Sequence, residues 1–339
     1  MTQESLRVTI GDVAARAGVS IATVSRVVNG RYGVAPSTLT RVRAVIDNLG
    51  YESSLVARSL RSQRTGVIGV LVADIEPFSA ELLKGAAKAL HDSDFEMVVY
   101  AAGQHNSEGW ERRYMSRLSG TLTDGTILVT PTVVDVASNQ PVVAVDPHVG
   151  GSKLPTIDAQ NFEGAIAAVE HLVGLGHRRI AFLAGRPDLE SARRREAGYR
   201  AALEAAGIAF DPDLVRVGGF TEETAEGPAR ELLTAADRPT AVFAANDLSA
   251  IQTMRTAAEL GIRVPDEVSV VGFDNIPESA LTDPPLTTVD QSIQALGHQA
   301  VRTLVEMIEH PERHQGVDPI HITLPTKLVV RRTTAIPRS

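Results

Sequence analysis

The sequence predicts an α/β protein built in two parts: a three-helix helix-turn-helix head with a short hinge helix behind it, then a two-lobed body of doubly wound parallel sheets. Three observations carry this prediction. From Thr65 onward, short apolar runs alternate with helical patterns, as in parallel strands joined by crossover helices. Ahead of them, VTIGDVAARAGVSIATVSRVVNG (residues 8–30) reads as two amphipathic helices around a glycine turn. The charge divides at the same place. Residues 1–64 hold nine Arg, no Lys and four acids, a net of +5, whereas the remainder carries −13, so only the head suits a polyanion.

In the head, Thr9 can cap a helix with Asp12 reaching back, and Val13, Ala14 and Ala17 share one face. Gly18 supplies the left-handed stop. Ser20 begins a second helix, Ile21 to Val28, which turns Val24, Val27 and Val28 inward and is closed by Asn29-Gly30. A third helix runs from Pro36 to Leu49 with Val42, Val45, Ile46 and Leu49 at helical spacing. Ala35 has no polar side chain with which to cap it. The free face of the second helix carries Ala22, Ser25, Arg26 and Asn29, with Ile21 at its tip. This is the geometry in which a recognition helix meets base edges in the major groove. Arg26 can bond a guanine edge bidentately, and Ile21 and Ala22 offer apolar contact to thymine methyls. Thr23, Ser25 and Asn29 suit phosphate contacts that fix register, and Thr9 and Ser20, at the helix N-termini, join the expected set. The same polar residues would also suit a merely solvated helix.

These segments, followed by RVRAVIDNLGY and ARSLRSQRTGVIGVLV, resemble the lactose-repressor/galactose-repressor (LacI/GalR) family of bacterial transcription regulators. The likeness continues through GHRRIAFLAG, FAANDLSAI, VSVVGFDN and LTTVDQS to LVVRRTT, nearly the whole chain. It implies a hinge helix, Leu55 to Leu60, that orders on operator DNA, with Leu60 as the leucine wedged into the minor groove and Arg58 beside it. An apolar wedge of this kind unstacks a base step and kinks the duplex. Where many relatives have Pro-Asn before the hinge, this chain has Ser53-Ser54, and Ser54 can still cap. The expected division is 8–52 for the head, 53–64 for hinge and linker, and 65–335 for the body. The resemblance also implies a periplasmic-binding-protein-like body whose chain crosses between lobes three times, with lobe 1 at about 65–160 and 291–322 and lobe 2 at about 161–290 and 323–335.

The body's strands read as GVIGVLVA, FEMVVYAA, GTILVT and PVVAVD, then RIAFLAG, LVRVGG, TAVFAAND and VSVVGFD: four and four. Ligands of doubly wound sheets bind outside the carboxyl ends of the strands. Those ends carry Asp74, Asp146, Asn246, Asp247 and Asp274, able to exchange paired hydrogen bonds with vicinal hydroxyls, although each acid could instead cap a helix. Phe78, Phe162, Phe220 and Phe273 could wall the faces of a sugar ring. By family position, Arg195 in SARRREAGYR is the ligand-binding arginine and Gln291 is both hinge and ligand residue. The resemblance implies a homodimeric, cytoplasmic, nucleoid-associated repressor, released from a palindromic double-stranded operator when a mono- or disaccharide binds between the lobes. A purine or nucleoside corepressor is the alternative.

Other classes find little support. No G-x-G-x-x-G follows a strand, and neither a P-loop, H-E-x-x-H nor G-x-S-x-G occurs, so no catalytic residue, metal or cofactor is expected. A pair of glycosidase carboxylates cannot be picked from 41 acids. His177 at a helix-to-strand turn reads as structural. With no Cys there is no disulfide, and no apolar run reaches membrane-span length. A transport-class binding protein would show a signal peptide in place of the basic head. The last residues, TTAIPRS, hold no heptad repeat for a tetramer.

Overall fold

The computed structural model describes residues 8–28, 33–49, 64–91, 93–103, 109–118, 122–136, 138–149, 153–314 and 316–338. Asn29, Arg58, Leu60 and the expected hinge helix lie outside these described residues. The chain divides into two compact units, Met1–Thr65 and Gly66–Ser339.

In the first unit, α1 spans Ile10–Ala17, α2 Ile21–Val28 and α3 Pro36–Leu49. The start of α1 is fixed by a reciprocal cap. Thr9 N–H donates to Asp12 Oδ2 (2.7 Å), and Asp12 N–H donates to Thr9 Oγ1 (3.3 Å). A cap of this kind contributes about 1 kcal/mol. Gly18, at φ +64°, ends the helix in the left-handed conformation that costs glycine nothing. Ser20 Oγ accepts from Thr23 N–H (3.1 Å) to start α2. Ala35 contributes only its carbonyl, which accepts from Leu39 N–H, to the start of α3. Val13, Ala14, Ala17, Val24, Val27 and Val42 form the buried core. Val28, Val45, Ile46 and Leu49, expected inside, are half-buried around its edge, because a core this small cannot enclose every apolar face of three short helices.

The second unit holds two six-stranded sheets. Its strands are β1 Val67–Val72, β2 Glu96–Ala101, β3 Gly125–Val129, β4 Val142–Val145, β5 Thr156–Ala159, β6 Ile180–Ala184, β7 Val215–Val217, β8 Ala241–Ala244, β9 Ser269–Asp274, β10 Thr287–Asp290, β11 His321–Leu324 and β12 Lys327–Val329. The first sheet runs β2-β1-β3-β4-β5-β11, all parallel. The second runs β7-β6-β8-β9-β10-β12, parallel except for β12, which pairs antiparallel with β10. The expectation of eight strands therefore falls short by four. The missed strands, β5, β10, β11 and β12, are three or four residues long and mix polar with apolar side chains, too short for alternation to register.

The first sheet packs against α4 (Pro77–Ala89) and α10 (Ile293–Glu309), and α5 (Trp110–Leu118) lies by β1. The second packs against α6 (Asn161–Gly174), α7 (Glu190–Ala205), α8 (Glu222–Thr234) and α9 (Asp247–Glu259). The chain passes from the first sheet to the second after Ala159, returns after Asp290, and passes over again after Leu324. The last crossing corrects the expected boundary at 322/323, which would cut β11 in half; Pro325 cannot donate to a ladder, and the strand ends before it.

Candidate functional site

The free face of α2 is exposed at Ser20, Ile21, Ala22 and Arg26, while Thr23 and Ser25 are half-buried. Ile21, 54% exposed at the tip of the helix, has no role in the core of the head. Two of the expected DNA contacts also order the helices: the Thr9 amide and hydroxyl both bond to the Asp12 carboxylate at the start of α1, and Ser20 Oγ accepts from Thr23 N–H at the start of α2.

In the second lobe, α7 and the carboxyl ends of β8, β9 and β10 bring the expected polar residues together. The guanidinium of Arg195, only 3% exposed, comes in from α7. Its Nε donates to Asn161 Oδ1 (2.9 Å), its Nη1 donates to the Ala245 carbonyl (2.5 Å), and the same Nη1 stands 3.5 Å from Asp274 Oδ1. It lies 3.8 Å above the Phe273 ring centroid and 5.9 Å from that of Phe220. A planar cation needs such a bed when it is taken from water. Asn246 caps α9 by accepting from Ser249 N–H (3.0 Å) and donates to the Phe220 carbonyl (3.0 Å). Gln291, at a lobe crossing, donates to Asp274 Oδ1 (2.5 Å). Asn246 therefore caps α9, the capping role that the sequence offered, and also holds the Phe220 carbonyl.

Burial pushes the Asp274 carboxyl well above its ordinary range. Arg195 opposes this, while Asp247, Glu76 and Asp146 reinforce it. The first lobe supplies Asp146 at the end of β4, with φ +46°. Its carboxyl is also raised by burial, against the pull of Arg195 and a hydrogen bond from Ser191 of the second lobe. Asp74 is exposed and accepts from Ile75 N–H (2.8 Å), serving its own turn. Phe78 is half-buried against the first-lobe core, which Ile276 and Leu248 of the second lobe also join. Phe162, near the start of α6, is 36% exposed, and Phe273 is fully buried beneath Arg195 and walls no open space.

Asp247 is the correction. It is wholly buried and spends both carboxylate oxygens outside the cluster: Oδ2 accepts from Ile276 N–H (2.9 Å), and Oδ1 accepts from the Thr288 hydroxyl. A Cβ on Gly272 would come within 2.2 Å of that Oδ1, so glycine is required beneath it. Burial lifts its pKa to about 7 despite these bonds. Asp247 grips the loop after β9, in which Asp274 (φ +120°) and Asn275 (φ +58°) both take conformations unfavourable to L-residues. Arg331, which sequence reasoning missed, grips the same loop from the C-terminal segment. It donates to Asn275 Oδ1 (2.6 Å), Ser279 Oγ (3.1 Å) and the Leu286 carbonyl (2.6 Å).

Beside this cluster, a cavity of about 270 Å³ is bordered by both lobes, with Asp146 and Asp158 on one side and Asn161, Glu190, Ser191 and Arg194 on the other. Asn161 and Ser191 were also missed. The signal was available on α7, where Ser191, Arg195, Tyr199 and Ala202 recur at helical spacing on the buried face. Among the described residues there is no cluster of His, Cys, Asp and Glu fit for a metal, and no helix is long and apolar enough to cross a membrane.

A helix-turn-helix unit followed by two doubly wound lobes around a buried polar cluster defines a DNA-binding regulator of transcription, not an enzyme. Residues 9–54 match the model for bacterial regulatory proteins of the lacI family, and residues 169–334 match the periplasmic binding protein-like domain. The HTH-type transcriptional regulator CelR of Thermobifida fusca is 35% identical over 341 residues, 96% of this chain and 98% of that one. A solved CelR–cellobiose complex is 34% identical with a TM-score of 0.71, covering 96% of this chain and 100% of that one. The lac repressor dimer bound to operator and the anti-inducer ONPF is 31% identical with a TM-score of 0.84, covering 97% and 99%. The chain belongs to the LacI family.

Proposed function

We propose that the protein represses carbohydrate-utilisation genes as a homodimer on a palindromic operator, and that a small saccharide binding between the lobes releases it. The carrying observation is the Arg195–Asp274–Gln291–Asn246 cluster at the strand ends of the second lobe, a fixed array of donors and acceptors of the kind that hydroxyl pairs satisfy. The CelR complex with cellobiose and the lac repressor on its operator supply the precedents for ligand and DNA. Ile21, Ala22 and Arg26 read bases, Ser20, Thr23, Ser25 and Asn29 hold phosphates, and Arg58 and Leu60 belong to the hinge. Asp74, Phe78, Asp146, Phe162 and Phe220 join the cluster around the effector. The exposed apolar row Val98, Val99 and Tyr100 on the edge strand β2 suits a partner surface. Residues 8–52, 53–64 and 65–335 act as head, hinge and body, and the protein works in the cytoplasm on the nucleoid.

The test is anisotropy on a duplex selected from random palindromes. Binding should be tight and sequence-specific, should be released by at least one sugar, and should lose about 1–3 kcal/mol of operator discrimination in Arg26→Ala. Equal affinity for scrambled duplexes, or a complex indifferent to every sugar, defeats the reading.

A further inference from the structure

Resting on that reading of the cleft, we infer that the effector is an uncharged saccharide and that the site excludes phosphorylated and carboxylated sugars. The guanidinium of Arg195, the only cation inside the cluster among the described residues, already has its charge matched: it faces Asp274, and its Nε and Nη1 donate to Asn161 and to the Ala245 carbonyl. The adjoining cavity sets Asp146, Asp158 and Glu190 against Arg194, whose Nε bonds Glu190 Oε1 (3.0 Å) and whose Nη1 lies 3.7 Å from Asp158 Oδ2. Carboxylates thus outnumber the guanidinium groups, and each guanidinium is paired. Asp158 Oδ1 is buried with no donor of its own, an acceptor placed for a hydroxyl. Helix N-termini, the usual alternative for holding a phosphate, are compensated here. Glu76 caps α4 through Phe78 and Ser79 N–H (2.7 and 2.8 Å), and α6, α7 and α9 carry Glu163, Glu190 and Asp247 in their first turns. An anionic ligand would meet like charge in a low-dielectric site, a juxtaposition that weakens binding.

The inference is tested by calorimetry on the full-length protein with matched pairs: ribose and ribose 5-phosphate, glucose and glucose 6-phosphate, cellobiose and cellobiose 6-phosphate, trehalose and trehalose 6-phosphate. Whichever neutral sugar binds should do so at least about 100-fold more tightly than its phosphate ester. In Asp146→Asn, which keeps the shape and suits the left-handed backbone, that ratio should narrow by about fivefold or more. A phosphate ester that binds as tightly as its parent sugar overturns the inference while leaving the sugar reading intact, and so does a ratio unmoved by Asp146→Asn. Silence across both columns of the panel overturns the sugar reading and the inference with it.

Discussion

The two lobes share one strand order, apart from the direction of the last strand, but prepare their sides of the cleft differently. In the second lobe, the residues at the strand ends are buried and bonded to one another: Arg195 to Asn161 and Ala245, Gln291 to Asp274, Asn246 to Phe220, with Asp247 and Arg331 holding the loop beneath. In the first lobe, Asp74 is exposed and serves its own turn, Phe78 leans on its own core, and Asp146 turns to Ser191 across the gap. On the proposed reading, the second lobe offers a preformed binding surface and the first acts as its lid. A ligand that prefers the closed geometry can shift the lobe equilibrium only by its difference in affinity for the two states, and that difference must come from the first-lobe contacts.

The comparison breaks most severely at Arg195. Replacing it by Met leaves Asp274 buried without its cation and Asn161 and Ala245 without a donor, and removing one partner of a buried pair costs about 3–5 kcal/mol. Urea denaturation should show that loss, with sugar response abolished. A variant as stable as the wild type would mean that the second lobe is not preorganised around Arg195.

Most of this contrast was legible at the level of elements and little of it at the level of atoms. The capping box, the αL glycine and the valine spacing placed α1 and α2 to the residue, because short-range hydrogen bonds decide those ends. Asn246 and Asp247 show the limit. They are neighbours at the start of α9, its cap and its first residue, and both suit a sugar, yet one holds the Phe220 carbonyl and the other the loop after β9, a difference set by packing on Gly272 and Thr288. Arg331 lies 56 residues from Asn275, and nothing local announces the pairing.

A second effect sits on the seam between lobes. His148 of the first lobe is 3.2 Å from Asp188 of the second, and its carbonyl accepts from Glu190 N–H (3.1 Å) and Arg193 Nη2 (3.0 Å). Burial, helped by Arg186 and only partly offset by Asp188, lowers its pKa from 6.5 to about 4. The folded state therefore binds fewer protons than the unfolded state between these values. The stability that His148 contributes is full above pH 6.5 and is lost as the pH falls towards 4, on the order of 2–3 kcal/mol. His148→Gln should flatten that part of the stability–pH curve; an unchanged slope would remove His148 from the seam. Next in size is Arg331→Lys, which keeps the charge and gives up the fork. It should cost about 1–2 kcal/mol and weaken sugar binding with operator affinity unchanged. Sugar affinity equal to wild type would show that the loop holds Asp274 without help.

The smallest effect belongs to the lid. Asp74 is exposed and its one described bond is to its own turn, so Asp74→Ala should change stability by less than about 0.5 kcal/mol. If closure brings this carboxylate onto a ligand hydroxyl, the variant loses one charged hydrogen bond, about 1.5 kcal/mol or roughly tenfold in sugar affinity. The loss should fall on the closed state alone, so the sugar concentration needed to release DNA should rise by the same factor while affinity for DNA without sugar stays put. Calorimetry and anisotropy on one preparation separate the cases. A fall in sugar affinity without a matching shift in release would place Asp74 in the ground site, and the division into preformed surface and lid would have to be redrawn.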